Sequence, residues 1–260
     1  MRKIKLGEGM EDLKTTVVAE QVNTEVAEDV VMVKSNVTLK KKPVYDFFKR
    51  CFDIATSLLF CIFFAIPMAL IALVIVKKDK GTPFYKQQRM GKDGKKIGVY
   101  KFRSMKIGAD NLEEMLTAEQ LEEYKKEYKL EDDPRLIGYE NPGDGETCFG
   151  AKIRKASIDE IPQIFMNILI KGDMSVVGPR PILEEELLEN YTPDEQKLLL
   201  SVKPGLTGYW QAYARNNVSY EGERERQKME LYYVENRSVL LDVKILFKTV
   251  ETVLTKTGAK

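Results

Sequence analysis

The chain has 260 residues, with 41 Lys and Arg against 40 Asp and Glu, three Cys and no His. The missing histidine excludes the commonest general base, the commonest transition-metal ligand and every nucleophile pair built on imidazole, so acid, base or covalent chemistry falls to carboxylates. Cys51, Cys61 and Cys148 have neither zinc-site spacing nor an even count, which points to a reducing, cytoplasmic compartment and makes any metal a hard ion on oxygen ligands, Mg²⁺ above all.

The balanced total hides a sorting of charge along the chain. Lys77 to Lys106 holds eleven basic residues and two acids, whereas Asp110 to Glu146 holds thirteen acids and four bases. The basic block follows the most apolar part of the chain, where it suits an anionic membrane surface; a solvated basic hairpin accounts for the same charges.

Residues 1–42 read as a polar cytoplasmic tail, weakly helical or disordered. Its valines at 18, 22, 26 and 30 have helical spacing, but β-branching favours strand. From Ile54 to Val76 run 23 uncharged residues, flanked by Lys49 and Arg50 before and by Lys77, Lys78 and Lys80 after. That is long enough to cross a bilayer, but the lysines on both sides give no asymmetry to orient a span. Pro67 lies inside the run, where it removes a helical hydrogen bond and crowds the preceding turn. A helix broken at Pro67 that enters and leaves by the same face accounts for the proline and both basic flanks; a kinked span and a buried core helix are the alternatives.

A hairpin is expected next, with Pro83 to Gln88 and Ile97 to Met105 joined through Gly91-Lys92-Asp93-Gly94. Alternation on its second strand puts Val99, Lys101 and Arg103 on one face, so that Lys101 and Arg103 project together as a clamp for a diphosphate or as solvated charges. Residues 110–130 read as a charged helix with Glu122 and Lys126 four apart, and Asp132 to Glu146 as a loop. Thr192, Pro193 and Glu195 open a further helix with a capping box, ending before Lys203-Pro204-Gly205. In the last helix, Ser238 to Thr255, Val239, Val243, Leu246, Val250 and Val253 share a face, for core packing or for a membrane interface.

Two segments carry candidate chemistry. In KASIDEIPQ, Asp159 and Glu160 are adjacent carboxylates; Ser157 with Glu160 also reads as a capping box, but Pro162 falls where a smooth helix from Ser157 disfavours it. In GDMSVVGPRP, Pro179 and Pro181 stiffen the backbone around Arg180, and Gly172 and Gly178 permit unusual angles and close approach. Such an arginine suits bidentate phosphate binding; a structural turn is the alternative. Pro204-Gly205 and Thr207-Gly208 lead into Tyr209, Trp210 and Gln211, an aromatic floor for a base or sugar, or part of the core.

Taken in order, KRCFDIA, the proline-interrupted apolar run, GTPFYKQQRMG, YKFRSM, IRKASIDEIPQIFMNILIKGDMSVVGPRP, KPGLTGYWQ and YYVENRSVLLDVKIL resemble the bacterial sugar transferases known as monotopic phosphoglycosyl transferases, over roughly Tyr45 to Thr255. The resemblance implies transfer of a sugar phosphate from a UDP-sugar to a polyprenyl phosphate such as undecaprenyl phosphate, with release of UMP, at the start of surface glycan synthesis. It places a covalent phosphosugar on Asp159, which also stands as the metal ligand, and has Glu160 assist with proton or metal chemistry alongside Mg²⁺. Carboxylate attack on phosphorus splits one hard displacement into two. Arg154 and Arg180 would neutralise phosphate charge, with Lys101, Arg103 and Arg215 as further substrate-binding positions. It also implies a re-entrant helix broken at Pro67 and a catalytic part on the cytoplasmic face of the membrane.

Some positions depart from the family pattern: Ile66 stands for a serine, Ala214-Arg215 for a Gly-Arg pair and Glu230 for an aspartate, and the stretch from Asp133 to Arg154 is long and acidic. The expected fold is α+β: a tail over 1–42, a membrane-associated segment over 43–80, and a helix-rich catalytic domain over 81–256 with a small antiparallel hairpin and an acidic insertion near 107–150. Expected partners are the UDP-sugar, the polyprenyl phosphate and membrane lipids, with no nucleic acid, and a homo-oligomer is left open. The rival function is a catalytically silent membrane scaffold, and a third is a phosphatase using the same carboxylates.

Overall fold

The computed structural model describes residues 41–127, 129–213 and 223–254. The tail up to residue 40 and Arg215 lie outside the described residues. A helix-rich domain carries one small antiparallel hairpin and one long apolar helix.

Helix α1 runs Pro43–Lys78, about 54 Å at the usual rise per residue. Pro43 occupies its first turn, where a missing N–H costs nothing, and Lys77 and Lys78 sit in its last turn, where cations suit the dipole. The helix passes through Pro67 without interruption, so the break expected there is not seen. One proline removes a single donor, and the long apolar stretches on both sides keep their own hydrogen bonds. The buried-core alternative is excluded, because only 6% of the most apolar 18-residue window is buried; Ile62, Phe63 and Ile66 stand two-thirds or more exposed. Such a surface fits a membrane and not water.

Both ends of α1 are tied to the same domain. At the start, Tyr45 Oη and Lys49 Nζ each donate to Asp242 Oδ2 at 2.8 Å, and Asp53 Oδ1 accepts from Ser175 Oγ at 3.0 Å and Val176 N at 2.9 Å. Near the end, Met68, Ile71, Ala72 and Ile75 pack with Phe102, Ile137, Ile158 and Ile161.

Strands β1 (Phe84–Met90) and β2 (Lys96–Phe102) form the expected hairpin, registered from Phe84 opposite Phe102 to Met90 opposite Lys96. Asp93 and Gly94 take left-handed angles in its turn, as the Asp-Gly pair permits. The charged stretch after it forms two helices, α2 (Leu112–Met115) and α3 (Ala118–Glu127), instead of one. Thr117 and Gln120 exchange side-chain and backbone hydrogen bonds and restart the chain as a capping box. The acids of the following loop build it: Asp132 accepts from Gly143 N and Gly145 N, and Asp133 pairs in bidentate fashion with buried Arg135.

Helix α4 (Phe149–Lys155) leads to a single 3₁₀ turn over Ile158–Glu160 and then a π-helix, Ile164–Lys171. Strand β3 (Ser175–Val177) pairs in parallel with β4 (Gly205–Thr207); these two-bond strands are too short to show alternation in sequence. Between them lie α5 (Glu184–Asn190) and α6 (Pro193–Leu199), the latter with the anticipated Thr192/Glu195 box in place. Helices α7 (Tyr209–Tyr213), α8 (Glu223–Asn236) and α9 (Val239–Leu254) close the main core around Leu187, Tyr233, Val234 and Ile245.

Candidate active site

Asp159 and Glu160 lie on the 3₁₀ turn and do not cap a helix. Ser157, at φ 53°, sits in the left-handed region and makes no side-chain cap. Pro162 falls just before the π-helix, where its fixed φ is tolerated. The turn is short because Pro162 lacks an N–H, and Ser157, with its left-handed backbone, separates it from the preceding helix α4.

The hairpin supplies their cation. Lys101 Nζ donates to Glu160 Oε1 at 2.9 Å and stands 4.0 Å from Asp159 Oδ2. Asp159 is largely buried, its side chain 14% exposed. Burial pushes its carboxyl up to about 6; Lys101 opposes the shift, Glu160 adds to it and exposed Arg154 opposes it again. Asn167 fixes this geometry: wholly buried on the π-helix, it accepts from Tyr100 N at 3.0 Å and donates to Gly98 O at 2.9 Å, locking β2 beside the acid turn.

Arg103 does not join Lys101. It lies past the end of β2, buried, where its guanidinium pairs with Asp79 and donates to Thr82 O at 2.8 Å and Lys80 O at 3.2 Å. It fastens the end of α1 to the hairpin, so two cations do not project from one strand face.

Arg180 reaches the site through backbone packing. A Cβ on Gly178 would come within 2.6 Å of Gly205 N and Lys203 O, and Gly205 N donates to Pro179 O at 2.8 Å. The glycines thus serve close approach of two loops. Arg180 N donates to Glu230 Oε2 at 3.0 Å, and its guanidinium grips both oxygens of Glu186 at 2.6 and 2.7 Å. Glu186 also takes Arg226 at 2.6 Å, and Arg226 lies over the Trp210 ring. Burial raises the Glu230 carboxyl to about 7, against the pull of the Arg180 amide and of both arginines.

A cleft of about 290 Å³ runs between these groups, lined by Arg89, Lys101, Glu160, Arg180, Trp210 and Arg226 among others. Asp159 stands one residue behind that lining. Burial and Arg180 both lower the pKa of the Arg89 guanidinium, a mark of concentrated positive charge. Trp210 Nε1 and Gln211 Oε1 are buried at this cleft without a hydrogen-bond partner among the described residues, so a polar ligand has groups to satisfy there.

Lys101, Asp159, Glu160 and Arg180 are therefore brought together with Arg154 nearby, and Arg103 is not. Arg89, Arg226 and Asn167 were not anticipated. Arg226 lies on α8, a helix with polar Gln227 and Glu230 buried beside Tyr233 and Val234, which erases the apolar periodicity that would have announced it.

Residues 44–256 match the family model for bacterial sugar transferases. Among similar proteins is an undecaprenyl-phosphate galactose phosphotransferase of Salmonella typhimurium, 42% identical over 216 residues that make up 82% of this chain and 42% of that protein. The exopolysaccharide production protein ExoY of Sinorhizobium fredii is 38% identical over 84% of this chain and 90% of its own length. A UDP-N-acetylgalactosamine-undecaprenyl-phosphate N-acetylgalactosaminephosphotransferase of Aeromonas hydrophila is 32% identical over 86% of this chain and 47% of its own length. The chain spans less than half the length of the first and third of these.

Proposed function

Because the chain belongs to the bacterial sugar transferase family, we propose that it transfers a sugar phosphate from a UDP-sugar to a polyprenyl phosphate through a covalent intermediate on Asp159. The observation that carries this reading is a largely buried carboxylate at the edge of a cleft lined by four cations, in a chain without histidine.

In the first step an Asp159 oxygen attacks the phosphorus that bears the sugar. The bond from that phosphorus to the bridging oxygen breaks, and UMP leaves with the electron pair. In the second, an oxygen of the polyprenyl phosphate attacks the same phosphorus, releasing the carboxylate. Arg180, Arg226 and Arg89 hold the diphosphate charge, which grows on the leaving oxygen. Lys101 keeps part of Asp159 ionised near neutral pH, and Glu160, which it hydrogen-bonds, is placed to take the acceptor's proton.

Mg²⁺ fits this donor set in one way. No group of three or more acids or cysteines gathers among the described residues, so the ion would rest on Asp159 or Glu160 together with diphosphate oxygens, the usual arrangement for a hard ion at a nucleotide. Bound there, it would neutralise phosphate charge.

The apolar, exposed α1 supports association with a membrane, and use of a nucleotide sugar would favour its cytoplasmic face. The names of the relatives make UDP-galactose and UDP-N-acetylgalactosamine the first donors to test, in a pathway that begins a surface polysaccharide. With donor and Mg²⁺, the protein should release UMP and gain the mass of one phosphosugar on the peptide holding Asp159. Undiminished turnover by Asp159→Asn would sink the covalent route; folded protein that releases no UMP from any UDP-sugar would instead favour a scaffold.

A further inference from the structure

A second polar cavity, of about 230 Å³, lies at the foot of α1 and shares no lining residue with the cleft beside Asp159. Asp53 in its wall is 22 residues before Ile75, or about 33 Å of helix, and Ile75 packs with Ile158 and Ile161 on either side of the catalytic pair. The cavity therefore belongs to the other end of the helix.

Five cations, Lys49, Arg50, Lys92, Lys203 and Arg237, line it against two acids, Asp46 and Asp53. Lys49 is paired with Asp242, Arg50 donates to Ile168 O at 2.7 Å, and Asp53 is held by Ser175 and Val176. Lys92 and Lys203 have no hydrogen-bonded carboxylate among the described residues. Burial holds the Lys203 ammonium below its usual pKa, and Arg50 and Lys92 push the same way. Asp53 and Asp173 oppose these cations only in part, and a half-buried amine without a hydrogen-bonded carboxylate is where an added anion can be held.

The same cavity meets an open groove at Tyr45 and Arg237. That groove is lined almost wholly by apolar surface, including Pro43, Val44 and Val239, with Val44 70% and neighbouring Leu240 65% exposed. A cationic cavity bordering an apolar groove, with Tyr45 and Arg237 lining both, matches a molecule with a phosphate at one end and hydrocarbon at the other. It stands at the polar edge of the run that suits a membrane.

We propose that this cavity binds the phosphate of a membrane phospholipid, with Lys92 and Lys203 on the phosphate and the hydrocarbon along the groove between Val44 and Val239. A free phosphate shares the head-group chemistry but leaves the groove empty. The site is separate from donor and acceptor chemistry, and its occupancy is readable without turnover.

The test uses the full chain in mild detergent, with melting temperature followed against dioctanoyl phosphatidylglycerol, inorganic phosphate and dioctanoylglycerol. Binding to the folded state alone raises the melting point by mass action. Phosphatidylglycerol should raise it saturably, with little effect from the other two. The double variant Lys92→Gln/Lys203→Gln should need about a hundredfold more lipid, since each charge-assisted contact carries roughly tenfold. Lys92→Gln alone, on the exposed hairpin turn, guards against a folding defect and should show part of the loss. Equal half-saturation in wild type and both variants would overturn the proposal. So would a full shift with phosphate alone, which marks a free-anion site, or with diacylglycerol alone, which marks an apolar one.

Discussion

Lys101 hydrogen-bonds Glu160 at 2.9 Å while standing 4.0 Å from Asp159, so one ammonium serves two carboxylates unequally. The less favoured acid is the more buried one, with its side chain 14% exposed against 34% for Glu160. Burial holds the Asp159 carboxyl up to about 6, and Lys101 at 4.0 Å opposes that shift only in part.

Turnover should therefore fall as pH drops through about 6, where Asp159 takes its proton and ceases to be a nucleophile. Lys101→Met removes a group that favours the carboxylate, so the acidic limb of the UMP-release profile should move to higher pH. An unmoved limb in that variant would separate Asp159 from the pH dependence.

Glu230 gives a stability signature of opposite sense to an ordinary paired acid. Its folded pKa is raised from 4.5 to about 7, so between those values the folded state binds more protons and stability declines as pH rises. Glu230→Gln keeps an oxygen to accept from Arg180 N and removes the buried charge. Thermal unfolding at pH 5 and pH 8 should show wild type losing on the order of 2–3 kcal/mol of this contribution and the variant far less.

Arg180→Ala should lower UMP release by about a hundredfold or more, the usual cost of removing a preorganised donor to a charged transition state. Arg180→Lys should recover little, because a compact ammonium lacks the planar, fixed set of donors with which a guanidinium, here held by Glu186 through Nη2, can meet a diphosphate. Initial rates at saturating donor decide it: full recovery by lysine would reduce Arg180 to a point charge.

Arg103→Ala should act on the fold before the chemistry. It leaves Asp79 and several carbonyls near the end of α1 without their donor, a loss of about 1–3 kcal/mol for a partly buried, charge-assisted contact. Melting should drop by roughly 2–4 °C per kcal/mol, with rates at low temperature largely kept. A raised KM for the donor with an unchanged melting point would restore the clamp expected from strand alternation.

Both ends of α1 contact one domain, through Asp242 near Tyr45 and through Phe102 and Ile137 near Ile75. Single cysteines at Lys42 and Lys80 in a cysteine-free background should thus react with an impermeant reagent from the same side of sealed vesicles. Reaction from opposite sides would establish a span.

Much of the fold was legible wherever a local rule dominates. The Asp93-Gly94 turn placed the hairpin, Thr192-Pro193 and Glu195 placed α6, and 23 uncharged residues placed the core of α1. Pro67 misled because one missing donor does not end a helix whose flanking turns are intact. Helix α8 was invisible because polar Gln227 and Glu230 take inward positions beside Tyr233 and Val234, and Thr117 with Gln120, a capping box written in the sequence, divides what read as one charged helix.

By itself the sequence determined the family, through its ordered blocks, and marked Asp159, Glu160 and the proline-flanked Arg180 as the candidates for chemistry in a chain without histidine. Only the tertiary structure decided which cations serve those acids. Lys101 and Arg103 are two residues apart in the chain, yet Asn167 locks the first, on β2, beside Glu160, while Asp79 draws the second, just past the strand's end, to helix α1. Charge partners form between segments far apart in the chain, and burial, which sets the pKa of Asp159, is a property of everything packed around it.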